Sequence, residues 1–582
     1  AALVQAERSG KFQPPGQPKD LRGRNRQGRF SRTYNRRRDV RHGRFASIDS
    51  KRSSKSLASM SLSKLSLETL ARRCLAILSL PFVTQNGFTR SVDGALGIEL
   101  KNYCGFHYKQ STLNHFLAEL KYLGVSESLL RHQVGFWREV QGPQVQRSLP
   151  LLCYYVDGNT KALWSSKRVK KNKVSMLGRV MGCLEQVFVH DSYGSPLYFE
   201  TYSGHAPVGE YVLSLFEKIE NSLEGPGPAL PVNRAIVVDG AGNSVKTLRS
   251  FAAQKKYHYI TSLDDNQWNA RKIRRQGRPQ RYRYGAATLR DCEIELEDSQ
   301  EKGYLFVTRA IKIHWDYGKE TYLITSLAAP TIGASRVVKA YFDRWPDQEL
   351  AFKIMKSVAS LHRVAGYGKQ EVPDQKVVDR QARLSRRMEE LKAQLEKPRS
   401  ELESLDGPME ELVRQEQRLK AGSRIRHGRR ILAKADREKL TAIGLEIARL
   451  ERKRKAVQKA YPAFEQLEKA EREWLRLQGK ETVYKVDVEL DQIMTFFRVS
   501  LVNLYAYFAR LMEVSHLSLA KLLSAVLFLP GRIVETENSK RIILERNKND
   551  PSTMARLSKA ISKMNDMKIK TLTGKTWSFA IE

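Results

Sequence analysis

Cysteine is scarce in this chain of 582 residues: there are five, at positions 74, 104, 153, 183 and 292, and none forms a CxxC pair. That spacing argues against a disulfide framework or a zinc site, and it fits a reducing cytosol. Cys104 and His107 make half of a metal-ligand set, with no partner pair in the sequence. Long apolar runs are missing as well. The two most apolar stretches, Leu70–Phe82 and Leu517–Leu529, stop well short of the ~20 residues that span a bilayer. No secretory signal is visible at the N-terminus, so a cytoplasmic location without a membrane partner is expected. Acid is scarce relative to base, with 63 Asp and Glu against 101 Lys and Arg, a net charge of +38. Such an excess attracts polyanions, and nucleic acid is the default partner.

The length calls for three or four units. Residues 1–58 carry sixteen Lys and Arg against four acids, and "RGRNRQGRFSRTYNRRRDVRHGRF" has too little apolar surface to fold alone. A disordered basic arm resting on phosphates is expected there, or a tail without a role. Residues 60–145 have helical periodicity, with Ser111 or Thr112 placed to cap one helix and Gly124 to end it. Short helices in a basic context suggest a helix-turn-helix-like DNA-binding region. Residues 148–265 alternate strands and helices, which predicts a mixed α/β sheet. Residues 266–325 ("RYRYGAATL", "CEIELED", "GYLFVTRAIKIHW", "TYLITSL") read as a β-rich insertion, and 326–370 return to the core with a helix. Residues 376–480 step through Leu384, Met388, Leu391 and Leu395 in heptad fashion, past Pro398, and "AGSRIRHGRR" reverses the chain. An antiparallel coiled-coil hairpin is the simplest account. Residues 484–582 read as a helix, a β-hairpin and a short basic helix.

Candidate chemistry sits in three places. "LLCYYVDGNTKAL" and "RAIVVDGAGNS" are apolar runs that end in Asp157 and Asp239, each followed by Gly. An acid at the end of a buried strand is costly without compensation, and a divalent cation supplies it. Alternatively, both acids merely cap Asp-Gly turns. The third place is "YFDRWPDQELAFKIMK", residues 341–356. Wound as a helix, it puts Leu350, Ala351, Ile354, Met355 and Val358 on one arc and Trp345, Glu349, Phe352 and Lys356 on the other. Asp157, Asp239 and Glu349 together could hold two Mg²⁺ ions, with Mn²⁺ as a substitute, for phosphodiester chemistry.

In that order, "YYVDGNTKALW", "AIVVDGAGNS" and "YFDRWPDQELAFKIMK" resemble the three acidic motifs of bacterial insertion-sequence transposases of the DDE type. The resemblance covers roughly residues 60–545, apart from the helical hairpin. It implies an RNase H-like core, often with a β-rich insertion before the Glu, and catalytic and metal-binding roles for Asp157, Asp239 and Glu349. The third motif resembles a Tyr-Arg-Glu-Lys signature in Tyr341, Arg344, Glu349 and Lys356. Tyr341, Arg344 and Lys356 are then expected to contact phosphates of the cut DNA end. Trp345 is expected either to stack on a flipped base or to pack at the helix start. The signature has three residues between Arg and Glu, which lands on Gln348. Glu349 keeps the six-residue step to Lys356, and Asp347 is the competing acid. The extra residue is expected in the first turn of the helix, which Pro346 suits. Thr160 and His205 are expected to support the acids or to serve structure alone.

The family reading implies cleavage of transposon ends and transfer of their 3′-hydroxyls to target double-stranded DNA by a homodimer in a synaptic complex at the nucleoid. Two alternatives stay open: an inactive or domesticated DNA-binding descendant, and an architectural coiled-coil protein.

Overall fold

In the computed structural model, the described residues are 66–84, 108–140, 151–224, 233–298, 301, 303–357, 359–422, 424–426, 429–431, 433–514, 526, 529–571 and 574–582. The basic arm of residues 1–58, the pair Cys104 and His107, and nearly all of Leu517–Leu529 lie outside them. Ten strands among the described residues share one sheet: β1 (Leu152–Ala162), β2 (Lys171–Val174), β3 (Arg179–His190), β4 (Pro196–Ser203), β5 (Arg234–Val238), β6 (His258–Leu263), β7 (Lys272–Arg281), β8 (Ala287–Glu297), β9 (Leu305–Trp315) and β10 (Glu320–Thr325). Their order is β2-β3-β1-β5-β6-β10-β9-β8-β7, and β4 also pairs with β3.

Apolar runs such as "LLCYYV" and "AIVV" are stable in strands covered on both faces. Side chains alternate across a strand, so the two faces can be read residue by residue. Leu152, Tyr154 and Val156 join Ile236 and Val238 in one core, while Cys153 and Tyr155 join Ala235 and Val237 in the other. The first face is covered by helices α3 (Ser126–Val140), α4 (Val208–Leu223) and α5 (Val245–Ala253); they follow α1 (Leu67–Thr84) and α2 (Gln110–Tyr122). The second face is covered by α7 (Ala334–Arg344), which follows the one-turn α6 (Asp265–Ala270). The fold is thus mixed α/β. Among the described residues, no helix is long and apolar enough to cross a membrane.

Several expectations change. Asp157 does not end its strand: β1 runs on to Ala162, because residues 158–162 keep a complete antiparallel ladder with β3 after the pairing with β5 stops at Val156. This also removes the turn-cap reading of "VDGN". The β segments of 266–325 extend the same sheet, since β10 pairs antiparallel with β6. The helix over 110–122 is capped at Lys109, which leaves Ser111 and Thr112 inside its first turn. Gly124 does follow its end, at φ +63, where the left-handed backbone suits glycine. Helix α3 faces the core with Leu130, Val134 and Trp137 rather than standing free.

Residues 375–477 form α9 (Gln375–Gln394), α10 (Glu396–Ala421), α11 (Lys434–Ala460) and α12 (Ala463–Leu477), with α8 (Leu350–Ser357) before them. The chain reverses through an antiparallel pair, β12 (Arg424–Arg426) and β13 (Arg429–Ile431). Leu391, Leu395 and Leu467 are buried together between α9 and α12. The root of this arm is a second antiparallel pair, β11 (Lys369–Pro373) with β14 (Thr482–Val486). Helix α13 (Glu489–Leu511) then returns to the large sheet, where Val499, Val502 and Tyr505 join its core. Strands β15 (Gly531–Glu535), β16 (Ser539–Leu544) and β17 (Thr576–Ile581) form a small sheet on which α14 (Pro551–Asp566) packs.

Candidate active site

Register places the first two acids. Val156 and Val238 are Cα partners in the parallel pair of β1 and β5, and Asp157 and Asp239 are the next residues of each chain. Each also comes next in the series that faces α7: Cys153, Tyr155, Asp157, and Ala235, Val237, Asp239. Two carboxyls therefore start side by side where the parallel pairing ends.

The third acid comes from the segment that joins α7 to the helix after it. Between α7 and α8 the chain makes a single π turn, Trp345–Glu349. Such a turn takes in one residue more than an α turn. The five-residue step from Arg344 to Glu349 thus fills the place of a four-residue step. The expectation that the extra residue lay in the helix's first turn is corrected, because the helix began at Ala334. Pro346 is the physical cause: it has no N–H to donate, and its ring collides with the carbonyl four residues back in a regular α-helix. Gln348, the residue that the regular spacing would have chosen, is fully buried. Its Nε2 donates to the Tyr155 carbonyl at 3.2 Å and lies 3.1 Å from His190 Nδ1, which ties the π turn to β1 and β3. The turn also touches the β3–β4 connection. A Cβ on Gly194 would stand 2.4 Å from the Asp347 carbonyl oxygen, and Gly194 has φ +76, so only glycine fits there.

Electrostatics links the three acids. Burial pushes Asp157 up to about 6; the Arg344 guanidinium, 3.7 Å away, pulls it down, and the carboxylates of Asp239 and Glu349 push it up. Asp347 is pushed up to about 7, first by burial and then by Asp343 and Asp191. Asp347 thus looks toward a different group of acids from the one that acts on Asp157.

The signature residues divide. Arg344 is buried against Asp157 and its guanidinium lies 5.8 Å from the Tyr341 ring centre. Trp345 is 62% exposed, with Lys353 Nζ 5.9 Å from its ring, so ordinary packing at a helix start does not describe it. Lys356 reaches over the Phe352 ring at 5.6 Å. Phe352 itself is a correction. It is buried, edge-on to Phe188 at 5.3 Å and to His190 at 4.9 Å, because α8 lies across β3 and turns that arc of the helix inward. His205 Nδ1 lies 3.1 Å from Glu185 and 2.9 Å from Asn172, contacts that hold the strand β3 to the chain after β4.

Sequence reading missed a buried network along β1 from the site. Lys161 Nζ bonds Asp491 Oδ2 at 2.8 Å and Thr495 at 2.9 Å, Gln186 bonds Thr201 at 2.9 Å, and Asn159 bonds Gln186 at 3.0 Å. It fastens the half of β1 that lies beyond Asp157 to α13. The available signal was Lys161 itself, a charge near the end of an otherwise largely apolar strand.

The raised carboxyls give a pH prediction. A group whose folded pKa lies above its unfolded value stabilises the fold at low pH, and that contribution is lost as pH rises through the folded value. For Asp347 the window runs from about 4 to about 7. Asp347→Asn is therefore expected to melt a few degrees above wild type at pH 8, with the gap closing by pH 5, in thermal denaturation followed across pH. A gap that did not depend on pH would sink the assignment.

All the donors at the candidate site are carboxylate oxygens, the ligands that Mg²⁺ and Mn²⁺ take, and a cation would offset the burial and the repulsion that raise Asp157. In that chemical sense the residues fit the expected ions. As the side chains stand, no three His, Cys, Asp or Glu among the described residues are grouped as a ready ligand set. Compared with known proteins, the chain matches no family model and no curated protein.

Proposed function

We propose that this chain is a transposase of the DDE type that cuts the ends of its element and joins their 3′-hydroxyls to target DNA. The observation that carries the reading is the register that sets Asp157 beside Asp239 where the pairing of β1 with β5 ends, with Asp157 raised first by burial and then by the charges of Asp239 and Glu349. The strand order β4-β3-β1-β5-β6, with β3 antiparallel to β1 and to β4 while β1, β5 and β6 run parallel, supports an RNase H-like core. The net charge of +38 supports a polyanionic partner.

Asp157, Asp239 and Glu349 would hold the metal. The chemistry that two Mg²⁺ ions supply, when bound, is activation of a water or 3′-hydroxyl and stabilisation of the leaving oxygen. The protein's own part is placement. Gln348 fixes the π turn, and with it the segment that carries Glu349, against β1. Arg344 offsets charge on Asp157 while the site is being filled and stands ready for a DNA phosphate. Exposed Trp345 offers a stacking face beside Glu349. Because Asp157 holds its proton up to about pH 6, cleavage is expected to fall below that pH.

The test is cleavage of duplex DNA taken from the sequence flanking the gene, with and without Mg²⁺. Cutting that needs the metal and produces free 3′-hydroxyls supports the reading. Tight, salt-sensitive binding with no cutting would favour the inactive, DNA-binding descendant instead.

A further inference from the structure

The β2–β3 hairpin has no place in the account so far. Its tip, Ser175–Leu177, is a short 3₁₀ turn closed by Gly178 at φ +64. The tip is apolar and faces water: Met176 is 59% exposed, Leu177 is exposed, and Val180 beside it is 68% exposed. Trp164, 64% exposed, follows the end of β1, and the Arg179 guanidinium lies 5.0 Å from its ring centre. Along the arms stand Lys170, Lys171, Lys173 and Arg179, which form no ion pair among the described residues. A protecting surface would pair its charges and turn Met and Leu inward. This hairpin does neither.

The root, by contrast, is fixed. Arg168 pairs with Asp374 at 2.7 Å, Tyr484 N donates to the Arg168 carbonyl at 2.8 Å, and a Cβ on Gly204 would lie 2.2 Å from Lys170 Cβ. A rigid base, cationic arms and an exposed apolar tip form the device by which proteins part a base step and bend a duplex, with the lysines held to phosphates on either side.

We propose that the β2–β3 hairpin is a wedge that inserts Met176 and Leu177 between base pairs of duplex DNA bound by this protein. The proposal rests on the reading of the chain as a DNA-acting enzyme and adds the place where the duplex is deformed. Asp157 is the Cα partner of Phe188, nine residues along β3 from Arg179, so the tip lies on the order of 30 Å from the acids at ~3.3 Å per residue. The parted step should thus lie within about nine base pairs of the cut, not at it.

The experiment uses the full chain and flanking duplexes carrying 2-aminopurine at successive positions over about fifteen base pairs. With wild type, one internal position is expected to brighten severalfold on binding. The double variant Met176→Ser/Leu177→Ser should lose that signal and bind about 10-fold more weakly, whereas Met176→Leu should keep both. Brightening that survives the double substitution, or binding with no bright position, overturns the wedge but leaves DNA binding intact. A change in sedimentation of the double variant with unchanged DNA binding also overturns it, since a second copy would then cover the tip. Failure of wild type to bind any duplex overturns both this inference and the reading beneath it.

Discussion

Glu349→Gln, Asp157→Asn and Asp239→Asn are each expected to lower DNA cleavage by at least ~10³-fold, which corresponds to about 4 kcal/mol of lost transition-state stabilisation. Each removes one ligand charge and little volume, so DNA binding should stay within about threefold of wild type. Binding by electrophoretic shift and cleavage by product length separate the two effects. Asp347→Asn is the control, and it should retain most of the activity. Asp347 shares the helix and the charge of Glu349, but the acids acting on it are Asp343 and Asp191 rather than Asp157. Gln348 is fixed to the Tyr155 carbonyl and cannot take the place of Glu349. Loss of cleavage in Asp347→Asn with none in Glu349→Gln would move the third acid and contradict the role given to the π turn.

Asp491→Ala should cost ~3–5 kcal/mol of stability, because it leaves the Lys161 ammonium buried without its counter-charge. Both side chains are fully buried. Burial pulls Lys161 down to about 8 against the attraction of Asp491, so desolvation outweighs the pairing there. An apolar pair of similar size therefore need not be worse. Lys161→Met/Asp491→Leu is expected to recover more than half of the loss; it leaves the Ala365 N–H, which donates to Asp491 at 2.8 Å, without a partner. Melting temperatures of Lys161→Met, Asp491→Leu and the double variant close the cycle. If Asp491→Ala melted within a degree of wild type, the network would have no part in holding β1 to α13.

The parts of the fold that sequence could foretell were those set by period. The apolar runs in "LLCYYVD" and "AIVVD" foretold two buried strands and put an acid at the end of each run, and the register Val156 to Val238 brings those points together. The leucine steps of 384–395 foretold helix α9. What escaped was what depends on partners far along the chain. Lys161 meets Asp491 across 330 residues of sequence, and no local pattern signals that contact. Phe352 fell on the polar arc of an ideal wheel, yet β3 supplies a Phe188 and His190 pocket that draws it inward. The π turn is the instructive case. Pro346 was in plain sight, but an ideal helix drawn through it gives a period that this segment does not have.

The central claim is that one site, completed by Glu349, both frees and joins DNA ends. Its most direct measurement is excision and reinsertion, in cells, of a marker placed between the DNA segments that flank this gene, with wild type or Glu349→Gln supplied. The account predicts excised and rejoined products with wild type and none with Glu349→Gln. Equal yields from the two proteins, or no product from wild type while it still binds those flanking segments, would contradict it.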